Sequence, residues 1–289
     1  MGAEAQTIAT PARPAPYTSH SIETAAGRLH YLDYGSAGRP PMLCLHGGAA
    51  NGHWFDFVAS GFNGDCHVRA LDQRGHGDSA WIDPPAYRYE HYVADLAEVV
   101  ERLDLRDFIL VGHSMGGMVS LAYAATHPGR VARLVIVDTT MRMSEERLDA
   151  MREVGNRPGR PYASLEEFAE RFRLRPPGSL APPEIIRHIG RNSARQTARG
   201  EWRHKFDRNV YLMRPALDGI PYWSEIRIPA LLVKGALSAR LSPDVLAEIR
   251  ARCPRAELAE VAASDHHVTL DNPAGFVSVV RDFLARHRN

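Results

Sequence analysis

The apolar positions of this chain fall into two alternating rhythms. Short apolar runs at Leu29–Asp33, Pro41–Leu45, His67–Leu71, Phe108–Val111, Leu134–Val137, Ala230–Val233 and Glu257–Val261 predict strands. Several of these runs are continuous rather than alternating, the pattern of a strand covered on both faces. Between them lie stretches such as Tyr92–Leu103, where Tyr92, Val93, Leu96, Val99, Val100 and Leu103 recur at helical spacing. A last helix is predicted from Pro273, with Phe276, Val280, Phe283 and Leu284 on one stripe. Strands alternating with helices predict an α/β fold built on a mostly parallel, helix-covered sheet.

Residues 141–224 break this rhythm. They hold no convincing strand, several helix-like pieces (Ser144–Val154, Ser164–Phe172 and Pro183–Gly190) and many Arg, Glu and Pro. An insertion of that length between two sheet strands is too long for an ordinary connection. It is expected to be a helical cap over the carboxyl edge of the sheet, where ligands bind in such folds. The expected organisation is a tail over 1–24, a core formed by 25–140 and 225–289, and the cap over 141–224.

Composition narrows the function. With 289 residues and 44% hydrophobic content the chain can bury a sizeable core. A net charge of +1 lacks the basic footprint of a nucleic-acid binder. No apolar stretch is long enough for a transmembrane helix, and the Ala- and Pro-rich first residues lack the apolar segment of a signal peptide, so a cytoplasmic protein is expected. Cys44, Cys66 and Cys253 are widely separated and suggest neither a disulfide framework nor a zinc site. The segment 142–222 carries 16 Lys+Arg against 11 Asp+Glu. That excess is compatible with anionic substrates, although charged helices are usually solvated faces.

The candidate chemistry centres on Gly112-His113-Ser114-Met115-Gly116, a G-x-S-x-G pattern between the strand Phe108–Val111 and the helix-like Met118–Thr126. A strand–turn–helix context is what a nucleophile elbow requires. Its glycines allow neighbouring backbones to approach closely, and the helix N-terminus behind Ser114 favours developing negative charge. A serine hydroxyl needs an adjacent base. His266, with His267 as its rival, lies between the last strand and the final helix, where a histidine can reach back to Ser114. After the strand Pro41–Leu45, His46-Gly47-Gly48 forms a turn whose Gly48 N–H is a candidate oxyanion donor, with the Met115 N–H as the second. His46, His76 and His113 are read as hydrogen-bonded structural histidines, because no HxxxH or HxH spacing is present. Trp202, Phe206, Tyr211, Leu212 and Met213 are pocket candidates in the cap, although such a run more often forms core.

The order of these segments resembles the α/β-hydrolase fold family. The resemblance rests on HGG at 46–48, the Asp72-Gln73-Arg74-Gly75-His76-Gly77-Asp78-Ser79 loop, GHSMGG at 112–117 and His266, and it covers roughly residues 25–140 and 225–289. It implies a structural role for the Asp72 and Arg74 loop. It also favours His266 over His267, since His266 stands seven residues before Pro273. One departure is clear: the family most often carries its acid in Gly-x-x-Asp after its seventh strand, and this chain reads Gly235-Ala236-Leu237-Ser238. Two acids are available instead. Asp138 ends the strand Leu134–Val137, a placement that some members of the family share. Asp244 follows Ser242-Pro243, where a carboxylate is expected for helix capping alone. Asp138 is the preferred acid and Asp244 the alternative.

These residues imply a serine hydrolase that cleaves a carboxylic ester or lactone through a Ser114–His266–Asp138 triad, with Gly48 and Met115 as the oxyanion hole. A small-molecule substrate is expected and no cofactor, metal, nucleic acid or membrane partner; the oligomeric state is left open. A carbon–carbon bond hydrolase or lyase on the same fold, or a non-catalytic receptor, are the alternatives.

Overall fold

A computed structural model describes residues 13–288. In chain order its elements are β1 (Thr18–Thr24), β2 (Gly27–Asp33), β3 (Pro41–Leu45), β4 (His67–Asp72), α1 (Tyr89–Arg102), β5 (Phe108–His113), α2 (Met115–Thr126) and β6 (Val131–Val137). An insertion follows, with α3 (Glu145–Asn156), α4 (Leu165–Arg171), α5 (Pro183–Asn192), β7 (Ala194–Gln196), β8 (Trp202–His204) and α6 (Asn209–Leu212). The chain returns through β9 (Ala230–Gly235), α7 (Pro243–Arg252), β10 (Glu257–Val261), α8 (Val268–Asp271) and α9 (Pro273–Arg286).

Eight strands form one sheet in the order β1-β2-β4-β3-β5-β6-β9-β10. The β1–β2 and β2–β4 pairs are antiparallel and the remaining five are parallel. Continuous apolar strands arise because successive side chains enter different cores. Leu110, Leu134, Ile136 and Leu232 pack with α1 and α2, whereas Ile109, Val111, Val135, Val137 and Val233 pack with Phe276, Val280 and Phe283 of α9. Each such side chain contributes about 1.5–3 kcal/mol by leaving water. Helix α2 is buried on nearly all sides from Met115 to Ala124, which explains its lack of a polar stripe.

Three expectations need correction. Thr18–Thr24 was placed in a tail but pairs with β2 along its whole length; only Ile22 of the strand is buried, so its sequence lacks apolar alternation. The first twelve residues of the expected tail lie outside the described residues. The insertion is not purely helical, since β7 and β8 form a small antiparallel pair. Helix α1 begins at Tyr89, earlier than the periodicity placed it. No helix among the described residues is long and apolar enough to cross a membrane.

The loop after β4 joins the sheet, the turn after β3 and the insertion. Burial opposes the charge on Asp72, but His30 and the N–H groups of Gly52 and Asp78 hold its carboxyl well below the usual range. Gln73 donates through Nε2 to the His46 carbonyl at 2.7 Å. Gly77 N–H donates to Lys205 O, and Asp207 N–H to Gly75 O, which stitches the insertion to the loop. Arg74 grips Asp95 of α1 with two bonds of 2.6 and 2.5 Å, both side chains being buried. Burial raises the Asp95 carboxyl more than Arg74 lowers it, so the pair fixes geometry rather than adding net stability. Asp95→Ala is therefore expected to cost about 3–5 kcal/mol in urea unfolding by stranding the Arg74 charge, whereas the Arg74→Met/Asp95→Leu double variant regains most of it. A single-variant cost below about 1 kcal/mol would show that Arg74 is satisfied without its partner.

Candidate active site

Ser114 sits at the point where β5 turns into α2, with φ 53° and ψ −112°. A non-glycine residue in that region is strained and persists only where its surroundings enforce it. Here the surroundings are close backbones. A Cβ on Gly112 would lie 2.4 Å from the Gly116 carbonyl oxygen, and one on Gly116 would lie 2.4 Å from that of Leu45. Two hydrogen bonds lock the turn: Ser114 N–H to Val137 O at 2.9 Å and Gly116 N–H to His46 O at 3.1 Å. The hydroxyl is thus displayed at the sheet edge in front of the α2 N-terminus.

His266 lies in the loop between β10 and α8. Its carbonyl accepts from His113 Nε2 at 2.8 Å, and the loop is further pinned by Leu237 N–H donating to Ser264 O. Its Nδ1 makes a 2.8 Å hydrogen bond to Asp138 Oδ2, leaving Nε2 for the cavity side. Asp138 follows β6 at φ 42°, a second strained position, and is fully buried. Its carboxylate also accepts from the Ser238 hydroxyl at 2.8 Å and the Gly235 N–H at 3.3 Å, and Arg240 Nε lies 3.5 Å away. Burial pushes Asp138 up to about 6, opposed first by the Ser238 hydrogen bond. Burial, aided by His267 and the Arg147 charge, holds His266 well below the usual imidazole range. The ring is therefore neutral near pH 7.

The other expected residues separate clearly. His267 turns to the Pro176 carbonyl at 2.9 Å. Asp244 is exposed in the first turn of α7, where Ser242 caps the helix. His46, His76 and His113 each hydrogen-bond a carbonyl oxygen, and burial lowers all three. Neither the Gly48 nor the Met115 N–H finds a hydrogen-bond partner among the described residues. Ser238 had been read only as a missing acid; its hydroxyl instead orients the acid beside it.

Gly48, Ser114, Met115 and His266 open onto one cavity of about 330 Å³. Ser114 Oγ and His266 make no direct hydrogen bond there, a contact that commonly tightens only on substrate binding. The insertion supplies Met143, Arg147, Met151, Arg175, Tyr211 and Arg214 to its wall. Of the five cap residues singled out in the sequence, only Tyr211 lines this cavity. Phe206 instead packs on Tyr211 and His76. Two groups elsewhere bring metal-type ligand atoms within 4.8 Å of one another: His53, Asp56 and His188, and His30, Asp72 and Asp78. In both, histidine already hydrogen-bonds the carboxylate, and neither group lines the Ser114 cavity.

Comparison with known proteins places this chain in a family. The chain is 26% identical over 266 residues to Esterase Rv0045c of Mycobacterium tuberculosis, covering 90% of this chain and 87% of that protein. It is 27% identical over 284 residues to a 2-(acetamidomethylene)succinate hydrolase of Mesorhizobium japonicum, covering 93% and 95%. The crystal structure of E-2-(acetamidomethylene)succinate hydrolase superposes with a TM-score of 0.81 at 24% identity, covering 93% of this chain and all of that one. The sequence profile of the alpha/beta hydrolase fold matches residues 40–273, and the chain belongs to the alpha/beta hydrolase fold family.

Proposed function

We propose that this hydrolase cleaves a small carboxylic ester through an acyl-enzyme on Ser114, with 141–224 acting as the cap that encloses the substrate. The observation that carries this reading is the 2.8 Å His266–Asp138 bond behind a cavity that also holds Ser114 and two unengaged N–H groups. Ser114 Oγ attacks the ester carbonyl carbon while His266 Nε2 takes the hydroxyl proton. Asp138 keeps the Nδ1–H tautomer and stabilises the imidazolium, and the Gly48 and Met115 N–H groups hold the oxyanion. His266 then protonates the departing alcohol. Water, deprotonated by the same ring, releases the acid and restores Ser114. The hydrogen bond between Asp138 and His266 favours this reading over a non-catalytic receptor. The esterase and hydrolase names of the relatives agree with this chemistry.

Ser114→Ala is expected to abolish p-nitrophenyl butyrate turnover while leaving the unfolding curve unchanged. Asp138→Asn should lower kcat by about 10³–10⁴-fold through the wrong imidazole tautomer, and Asp244→Asn should leave it within about twofold. Loss of activity in Asp244→Asn but not in Asp138→Asn would assign the acid wrongly here. Turnover of a β-diketone with no esterase activity would move the protein to carbon–carbon hydrolysis.

The pH dependence follows from Asp138. Its raised value means that the ionised form required for catalysis is present above about 6 and is lost as pH falls through that value. The acid limb of kcat/KM for the neutral ester is expected near pH 6, the titration belonging to the His266–Asp138 pair. A profile flat down to pH 4.5 is incompatible with a carboxylate of this role.

A further inference from the structure

The cavity wall is unusual in its charge. Arg147, Arg175, Arg214 and Arg240 all line it, and no carboxylate does. Asp138, behind His266, is the one acid paired with any of the four among the described residues, and it pairs with Arg240. Arg147 and Arg240 each donate to the neutral Thr140 hydroxyl. Arg214 differs from the rest. It is only 6% exposed, and its Nε is buried without a partner. Among the described residues it makes no side-chain hydrogen bond and no ion pair. Its guanidinium lies 5.1 Å from the Tyr89 ring centroid, a contact that offsets part of its desolvation and directs no hydrogen bond.

A donor buried without an acceptor is unfavourable, and because Arg214 lines the cavity an anion entering it can supply the missing partner. Arg214 is also close to the reacting centre. A Cβ placed on Gly48 would stand 3.9 Å from Arg214 Nη2. An anion held by Arg214 therefore lies within a few bonds of a carbonyl whose oxygen reaches the Gly48 N–H. The adjoining groove of about 930 Å³ shares Val154 and Arg175 with the cavity and is lined by nine arginines against Glu201 and Asp207. Its field favours entry of the same sign of charge.

We infer that the substrate carries a free carboxylate on its acyl part and that Arg214 binds it, so that the enzyme hydrolyses half-esters of short dicarboxylic acids. This inference rests on the ester-hydrolase reading of the same cavity. The planar guanidinium fork matches a carboxylate with two parallel bonds. The apolar remainder of the wall, Met115, Met118, Met143 and Met151 among others, accommodates the methylene chain between the two carbonyl carbons.

The test compares mono-p-nitrophenyl glutarate with p-nitrophenyl hexanoate, an ester of similar reach that lacks the charge. The wild type is expected to prefer the glutarate ester in kcat/KM. Arg214→Met should collapse the ratio of the two specificity constants by about 100-fold, and Arg214→Lys should retain part of it. A structural role for Arg214 lowers both constants together and leaves the ratio standing. Glutarate binding to Ser114→Ala, with and without Arg214→Met, is measured by calorimetry and needs no turnover. Binding that Arg214→Met removes, without hydrolysis of either ester by the wild type, keeps the anion site and defeats the ester reading. Ser114-dependent hydrolysis of the hexanoate ester without glutarate preference, and no glutarate binding, keeps the hydrolase and overturns the inference. Ligand-free Arg214→Met is expected to melt above the wild type, since it deletes a donor buried without an acceptor; a lower melting temperature would assign Arg214 to the fold.

Discussion

The geometry of the site depends on how closely the first turn of α2 approaches the ends of β3 and β5. Space for one Cβ is missing at Gly112 and again at Gly116, where the obstacles are carbonyl oxygens that cannot swing aside. That contact forces Ser114 into its positive-φ conformation. It also brings the Gly116 N–H onto His46 O, so the elbow and the Gly47-Gly48 turn are held by one carbonyl. Gln73 Nε2 donates to the same oxygen. The Ser114 turn, the Gly47-Gly48 turn and the loop stitched to the insertion thus share one small hydrogen-bonded junction, and strain at Ser114 is sustained by that junction rather than by local preference.

A second constraint is the charge of Asp138. A carboxylate buried at the end of β6 must be compensated, and the compensation comes mostly from neighbours on the next strand and the loop beyond it. Ser238 donates its hydroxyl, Gly235 its N–H, and Arg240 a nearby charge. Ser238 occupies the place where an acid was expected in the Gly-x-x-Asp pattern. Two carboxylates facing one imidazole would repel each other in a dry site, so an acid on β6 and a hydroxyl after β9 form a consistent pair. The departure in sequence and the strained Asp138 backbone are two sides of one arrangement.

Legibility in the sequence followed the range of the interactions. Strand β3 matched its apolar run residue for residue because four of its five residues are buried between the two layers, and β10 matched through its Leu258, Ala259 and Val261, although only Val261 is buried. The turn that carries Ser114 was readable because strand–turn–helix is a local pattern. Strand β1 was not, since Ile22 is the one apolar residue among its seven. The pair β7–β8 spans three residues on each side, too few for any period to register. Asp138 was half-readable: its position at a strand end is local, but its advantage over Asp244 lies in a contact across 128 residues. Arg214 was unreadable among the sixteen cations of its segment. What distinguishes it is a missing partner, and a missing partner is a property of the folded chain alone.

That absence carries weight because the insertion is not free to rearrange around it. Asp207 accepts from Tyr87 at 2.5 Å, its N–H reaches Gly75 O, and Asn51 Nδ2 reaches Ser193 Oγ at 3.0 Å. These bonds fix both flanks of the β7–β8 pair to the loops after β3 and β4, the same loops that position Gly48. Arg214 follows α6 directly and so inherits its distance from Gly48 from that stitching. An arginine on a loose lid would turn outward and be solvated, as most arginines of the segment are. Held in the cavity wall by its backbone, Arg214 keeps its Nε buried without an acceptor. The stitching that positions Gly48 therefore also fixes where Arg214 stands in the cavity wall.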